Sequence, residues 1–127
     1  MRAVFDELQP STVIVGMANG TDLWAGDTAI LMGLDVWAAK PWKGHKPRVA
    51  DRELYARVIE GASRVINVDE SESYKGPWLY HNRNEWMVDH ADLLVAYWNG
   101  KESGGTYACR NYALTVGVPV RNVYEEG

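Results

Sequence analysis

Cysteine is nearly missing from this chain: Cys109 is the only one among 127 residues. No internal disulfide can form, so stability must come from a packed core, and a reducing compartment is the simpler expectation. Histidine is scarce as well. Three histidines, with His81 and His90 nine positions apart, give no metal-ligand spacing, and no metal or cofactor is expected. No run of about 18 apolar residues could cross a bilayer. The opening stretch MRAVFDELQP carries acids and lacks the apolar segment of a signal peptide. A cytoplasmic protein without a membrane partner is expected. An excess of basic charge is also absent. The net charge of −4 disfavours broad nucleic-acid binding, although a local basic pocket remains compatible with it. Phenylalanine occurs once, against six Trp and seven Tyr. Trp and Tyr join an apolar body to a polar handle, a preference that suits the lining of a pocket or an interface.

What remains is an ordinary soluble composition. Hydrophobic residues make up 46% and charged residues 24%, with no repeat, linker or low-complexity tract, so a single domain over residues 1–127 is expected. Apolar strands alternate with helical stretches. The strands are read at 12–16 (TVIVG), 35–39 (DVWAA), 64–68 (RVINV), 92–98 (DLLVAYW) and 119–123 (PVRNV). The helices are read at 21–33, 49–62, from Pro77 to about His90, and at 106–116. Thr21 or Asp22 is placed to cap the first of these and Gly33 to close it. In the second, Leu54, Val58 and Ala62 share one face. Near-continuous apolar strands separated by helices imply an α/β fold, a Rossmann-like three-layer α/β/α sandwich on a mainly parallel sheet of about five strands.

Such sheets bind ligands beyond the carboxyl ends of their strands. Three turns lie there. GMANGTD follows the first strand, bringing Gly16, Met17, Ala18, Asn19, Gly20 and Asp22 to a helix N-terminus. KPWKGHKPR follows the second, bringing Pro41 and Trp42. NGKESGGT follows the fourth, bringing Gly104, Gly105 and Thr106 to another helix start. Glycines allow a close approach of backbone to ligand, and helix N-termini attract anions. Two glycine-bearing turns are expected to face one crevice, with phosphate oxygens on the helix N–H groups and the Thr106 hydroxyl. In WLYHNRNEWMVD, Arg83 suits phosphate and Asp89 suits ribose hydroxyls, with Asn84 beside them as a further ligand-binding candidate. Trp78 or Trp86 could stack on a base, with Trp86, Met87 and Val88 as core residues the alternative.

The segments YKGPW, NRNEWMVDHADLLVAYWNG, GGT followed by YA, and GVPV together resemble the YpsA-like branch of the SLOG superfamily over roughly residues 12–123. That superfamily includes the lonely-guy phosphoribohydrolases and DNA-processing proteins that bind single strands. The chain is similar, more distantly, to nucleoside deoxyribosyltransferases. The resemblance implies a Rossmannoid fold and a nucleotide-derived ligand. Two departures matter. Family members open with a strand and a Gly-His-Arg-Pro-like turn, whereas this chain begins in the helix that would follow; GHKPR at 44–48 comes after a later strand. Lacking that usual first strand, two neighbours would have unpaired edges, and a homo-oligomer, dimer or larger, is expected. Catalytic relatives also carry a Glu shortly after Gly-Thr. Here Ala108 and Cys109 stand in those places. Breaking an N-glycosidic bond needs a carboxylate at the oxocarbenium-like carbon, so no catalytic residue is assigned.

Three functions follow as expectations. The first is non-catalytic binding of a nucleotide-derived small molecule, such as an ADP-ribose or cyclic nucleotide derivative, for sensing or sequestration; a phage-type sponge for immune signals is one form of it. The second is an N-glycosidase or phosphoribohydrolase acting on nucleoside monophosphates, with Glu85, Asp22 or Asp89 supplying the acid. The third is single-stranded DNA binding, which has the aromatics it needs but not the charge.

Overall fold

The computed structural model describes residues 1–18 and 20–124, and the chain forms two compact units. The first runs from Met1 to Lys75. It contains α1 (Arg2–Leu8), β1 (Thr12–Val15), α2 (Gly20–Leu31), β2 (Asp35–Lys40), a 3-10 turn (Val49–Asp51) leading into α3 (Arg52–Gly61), and β3 (Arg64–Asn67). The second begins at Gly76 and contains α4 (Trp78–Asp89), β4 (Leu94–Ala96), α5 (Gly105–Val116) and β5 (Val120–Asn122). Strands and helices alternate as the apolar pattern required, and every strand pair is parallel. The five strands are divided, however, into a three-stranded sheet of order β1-β2-β3 and a two-stranded sheet β4-β5. No helix of the described residues is long and apolar enough to cross a membrane.

In the first unit the core is built where α2 and α3 cover β1 and β2. Val15, Leu23, Ala29, Val36, Ala38 and Val58 are buried there, joined by Phe5 from α1 and Tyr55 from α3. Val58 is fully buried, in the middle of the face that Leu54 and Ala62 flank. The two helices approach closely because Gly26 presents no side chain: a Cβ there would meet Val58 at 3.0 Å. Beside this contact Asp27, itself buried, accepts two hydrogen bonds from the Arg57 guanidinium at 3.3 and 2.9 Å, which fixes α3 in register on α2. Gly33 closes α2 as expected, its N–H and that of Leu34 bonding back to the carbonyls of Ile30 and Ala29.

The pairing of β2 with β3 continues past the ends of both strands. Val68 donates to the Lys40 carbonyl, Lys43 to Asp69, and Gly44 to Ser71, at 2.9–3.2 Å. The loop after β2 is thereby laid flat along the segment after β3. Its aromatic residues turn inward, with Trp42 edge-on to His45 at 4.8 Å and tilted against Tyr74 at 5.3 Å. His45 Nδ1 lies 3.2 Å from the Tyr55 hydroxyl.

Candidate functional site

The turn after β1 is held by packing and by one acid. Gly16 and Met17 are buried, and Met17 has a φ of 62° with its side chain anchored in the core. That left-handed backbone costs a non-glycine residue about 1 kcal/mol, which the buried methionine offsets. Asp22, in the first turn of α2, accepts a hydrogen bond from the Ala18 N–H at 3.3 Å. Its expected role as a cap is therefore corrected: the helix begins at Gly20, before Asp22, and the carboxylate closes the preceding turn from inside the helix. Asn19 lies outside the described residues. Pro41 and Trp42, after β2, are both buried within their loop.

In the second unit α4 carries the expected polar residues. Arg83 is buried, and its Nε donates to Asn84 Oδ1 at 2.8 Å, so these two side chains hold each other. Asp89, at the end of α4, accepts a 2.7 Å hydrogen bond from the Tyr112 hydroxyl of α5. This bond keeps the Tyr112 phenol neutral and raises its pKa to about 12. In the first unit burial alone raises Tyr55 to about 12. Both groups favour the neutral form in the folded state, so the stability they add is present below the ordinary phenol pKa of about 10 and is lost as pH rises towards 12. A phenolate absorbance titration of the folded protein is expected to leave both unionised until near pH 12, and one in denaturant to release them near 10. Full release near 10 in the native protein would contradict the burial of Tyr55 and the Tyr112–Asp89 hydrogen bond. Trp86 stacks on His90 at 4.1 Å, Val88 is core, and Trp78 is largely exposed.

The Gly104–Thr106 turn borders a cavity. Gly104 has a φ of 91°, a conformation glycine adopts without strain, and delivers the chain into α5 at Gly105. Gly105 and Thr106 are exposed there, beside Tyr97, Trp98, Asn99, Lys101, Ser103 and Tyr124, around a hollow of about 260 Å³. A second hollow of about 250 Å³ adjoins it, shared at Trp98, Asn99 and Tyr124. Among the described residues lining the first hollow, Lys101 is the one charged side chain and no carboxylate is present. The first four N–H groups of a helix lack intrahelical partners, and the dipole adds partial positive charge. An anion is thus favoured here twice, by the helix and by Lys101. No group of three His, Cys, Asp or Glu side chains comes together among the described residues.

Comparison with known proteins bears on the chain at this point. It is homologous to a prophage-derived protein. A stretch of 74 residues is 38% identical to the uncharacterized SPbeta prophage-derived protein YoqJ of Bacillus subtilis strain 168, and covers 50% of this chain and 43% of that protein. The match therefore takes in less than half of that relative's length. No family model matches the sequence.

The expected Gly104, Gly105 and Thr106 lie at this hollow together with Tyr97, Trp98, Lys101 and Tyr124, which are not among the site residues expected from sequence. The apolar pattern extends the fourth strand through Tyr97 and Trp98. The strand ends at Ala96, because the Asn122 side chain takes over the backbone of Trp98: Nδ2 donates to the Trp98 carbonyl at 2.8 Å, and Oδ1 accepts from its N–H at 3.1 Å. The usable signal was position, since Tyr97 directly follows β4 and Tyr124 closely follows β5 at the carboxyl ends of their strands.

Proposed function

We propose that the protein binds a nucleotide-derived small molecule, such as an ADP-ribose or cyclic nucleotide derivative, and holds it without chemical turnover. The observation that carries this reading is the composition of the hollow at the start of α5. It combines a glycine turn, free helix N–H groups, the Thr106 hydroxyl and Lys101, with no acid among its described lining residues. Phosphate oxygens suit the first set of groups. Cleavage of an N-glycosidic bond needs a carboxylate beside the sugar carbon, and the described lining residues supply none. The residues after Thr106 point the same way: Tyr107, Ala108, Cys109 and Arg110 supply no acid.

The YpsA-like SLOG reading supports a nucleotide ligand through its GGT and WMVD segments. In this proposal Arg83 and Asn84 hold each other on α4, and Asp89 is engaged by the Tyr112 hydroxyl. The prophage origin of the relative supports sequestration of a host nucleotide signal as the biological use. That step is one of analogy.

A thermal-shift panel of ADP-ribose, its cyclic isomers and cyclic dinucleotides tests the proposal. At least one is expected to raise the melting temperature, because a ligand at 100 times its Kd stabilises by about 2.7 kcal/mol. Chromatography of the incubated ligand is expected to return it intact. Release of a free base would favour the hydrolase reading, and no shift with any member would contradict binding.

A further inference from the structure

We infer that Tyr97 and Tyr124 form a stacking platform for the base of a single nucleotide, which places base recognition within the second unit. The inference rests on the proposed nucleotide reading and adds the part of the ligand that the glycine turn cannot select. Tyr97 follows β4 and Tyr124 follows β5, and these strands are paired in register with Ala96 opposite Asn122. The two rings lie 4.9 Å apart with planes inclined at 59°. Both remain accessible: 55% of Tyr97 and 41% of Tyr124 is exposed. Tilted rings leave a face of each uncovered, and both line the 260 Å³ hollow.

The platform is also pre-set. One amide, Asn122, binds the backbone on both sides: Oδ1 accepts from the N–H of Trp98 and of Tyr124, each at 3.1 Å, and Nδ2 donates to the Trp98 carbonyl. The chain carrying each tyrosine is therefore fixed before a ligand arrives, which lowers the ordering cost of binding. Trp98 is engaged elsewhere. Its ring stacks on Tyr107 at 5.9 Å, the Arg110 guanidinium lies 4.6 Å from its centroid, and its Nε1 donates to the Lys101 carbonyl at 2.9 Å. That leaves the tyrosines as the open π-faces. The hollow of about 260 Å³ that the two rings line is adjoined by the second of about 250 Å³, shared at Tyr124.

Two probes that differ only in the base test this: AMP and ribose 5-phosphate, titrated by calorimetry into the full chain. AMP is expected to bind about tenfold or more tightly than ribose 5-phosphate, the range of base–aromatic stacking. Tyr97→Ala and Tyr124→Ala are expected to remove that difference while leaving ribose 5-phosphate binding in place. Tyr97→Phe and Tyr124→Phe, which keep the rings, are expected to retain it. Equal binding of the two probes, or a preference for AMP that survives both alanine variants, overturns the platform and leaves the phosphate reading standing. Failure of both probes to bind overturns the two together.

Discussion

Gly44→Ala is expected to unfold the first unit at denaturant concentrations where the native chain is intact. A Cβ at this position would sit 1.7 Å from the Glu72 carbonyl oxygen and 2.5 Å from its carbonyl carbon. Both are main-chain atoms and neither can rotate away. The methyl group fits only if the loop after β2 separates from the segment after β3, which breaks the hydrogen bonds from Gly44 to Ser71 and from Lys43 to Asp69. Overpacking costs about 1–3 kcal/mol and occasionally more, and the two bonds add about 1 kcal/mol each. The sum, about 3 kcal/mol or above, is a large fraction of the stability of a small domain. Urea titration should show it as a lowered midpoint with the slope unchanged. A loss under about 1 kcal/mol would mean that the two loops do not lie against each other as described.

Thr106→Glu is expected to do the opposite: weaken ligand binding about thirtyfold and leave the fold intact. Thr106 is exposed and stands in the first turn of α5. A carboxylate there complements the helix dipole and adds about 0.3–1 kcal/mol to stability. A bound phosphate would meet the same carboxylate as a like charge. Two unit charges about 5 Å apart at an effective dielectric of roughly 20 repel by about 3 kcal/mol. Screening at an exposed site trims this to about 2 kcal/mol, still about a thirtyfold loss of affinity. An unchanged or raised melting temperature together with weakened binding places the anion at this helix start. Unchanged affinity would move it elsewhere.

The elements were legible because their apolar spacing was clean. TVIV and RVIN read as strands and form them, β1 half-buried and β3 at the sheet edge with Arg64 and Val65 exposed, and the face of Leu54, Val58 and Ala62 marked α3, whose Val58 is its buried centre. Gly33 announced the end of α2. Other features depended on distant partners. β4 stops at Ala96 because Asn122, 26 positions later, captures the backbone of Trp98, so a strand read at 92–98 overruns its C-terminal end by two residues, and it starts two residues early, since β4 begins at Leu94. Periodicity cannot show a side-chain bond of that kind. Trp42 carried the same ambiguity. Its sequence position after a strand suited a ligand-binding residue, and nothing in the pattern showed that its ring packs against His45 and Tyr74. The glycine turn at 104–106 was readable from residue type alone. The tyrosines that complete its hollow were readable only from where the strands end.

The most direct measurement is a calorimetric titration of the native protein with ADP-ribose, followed by chromatography of the recovered ligand. Saturable binding, weakened about thirtyfold in Thr106→Glu, with the ligand returned whole, is the expected result. No heat of binding, or a ligand returned cleaved, would contradict a site that holds a nucleotide derivative without acting on it.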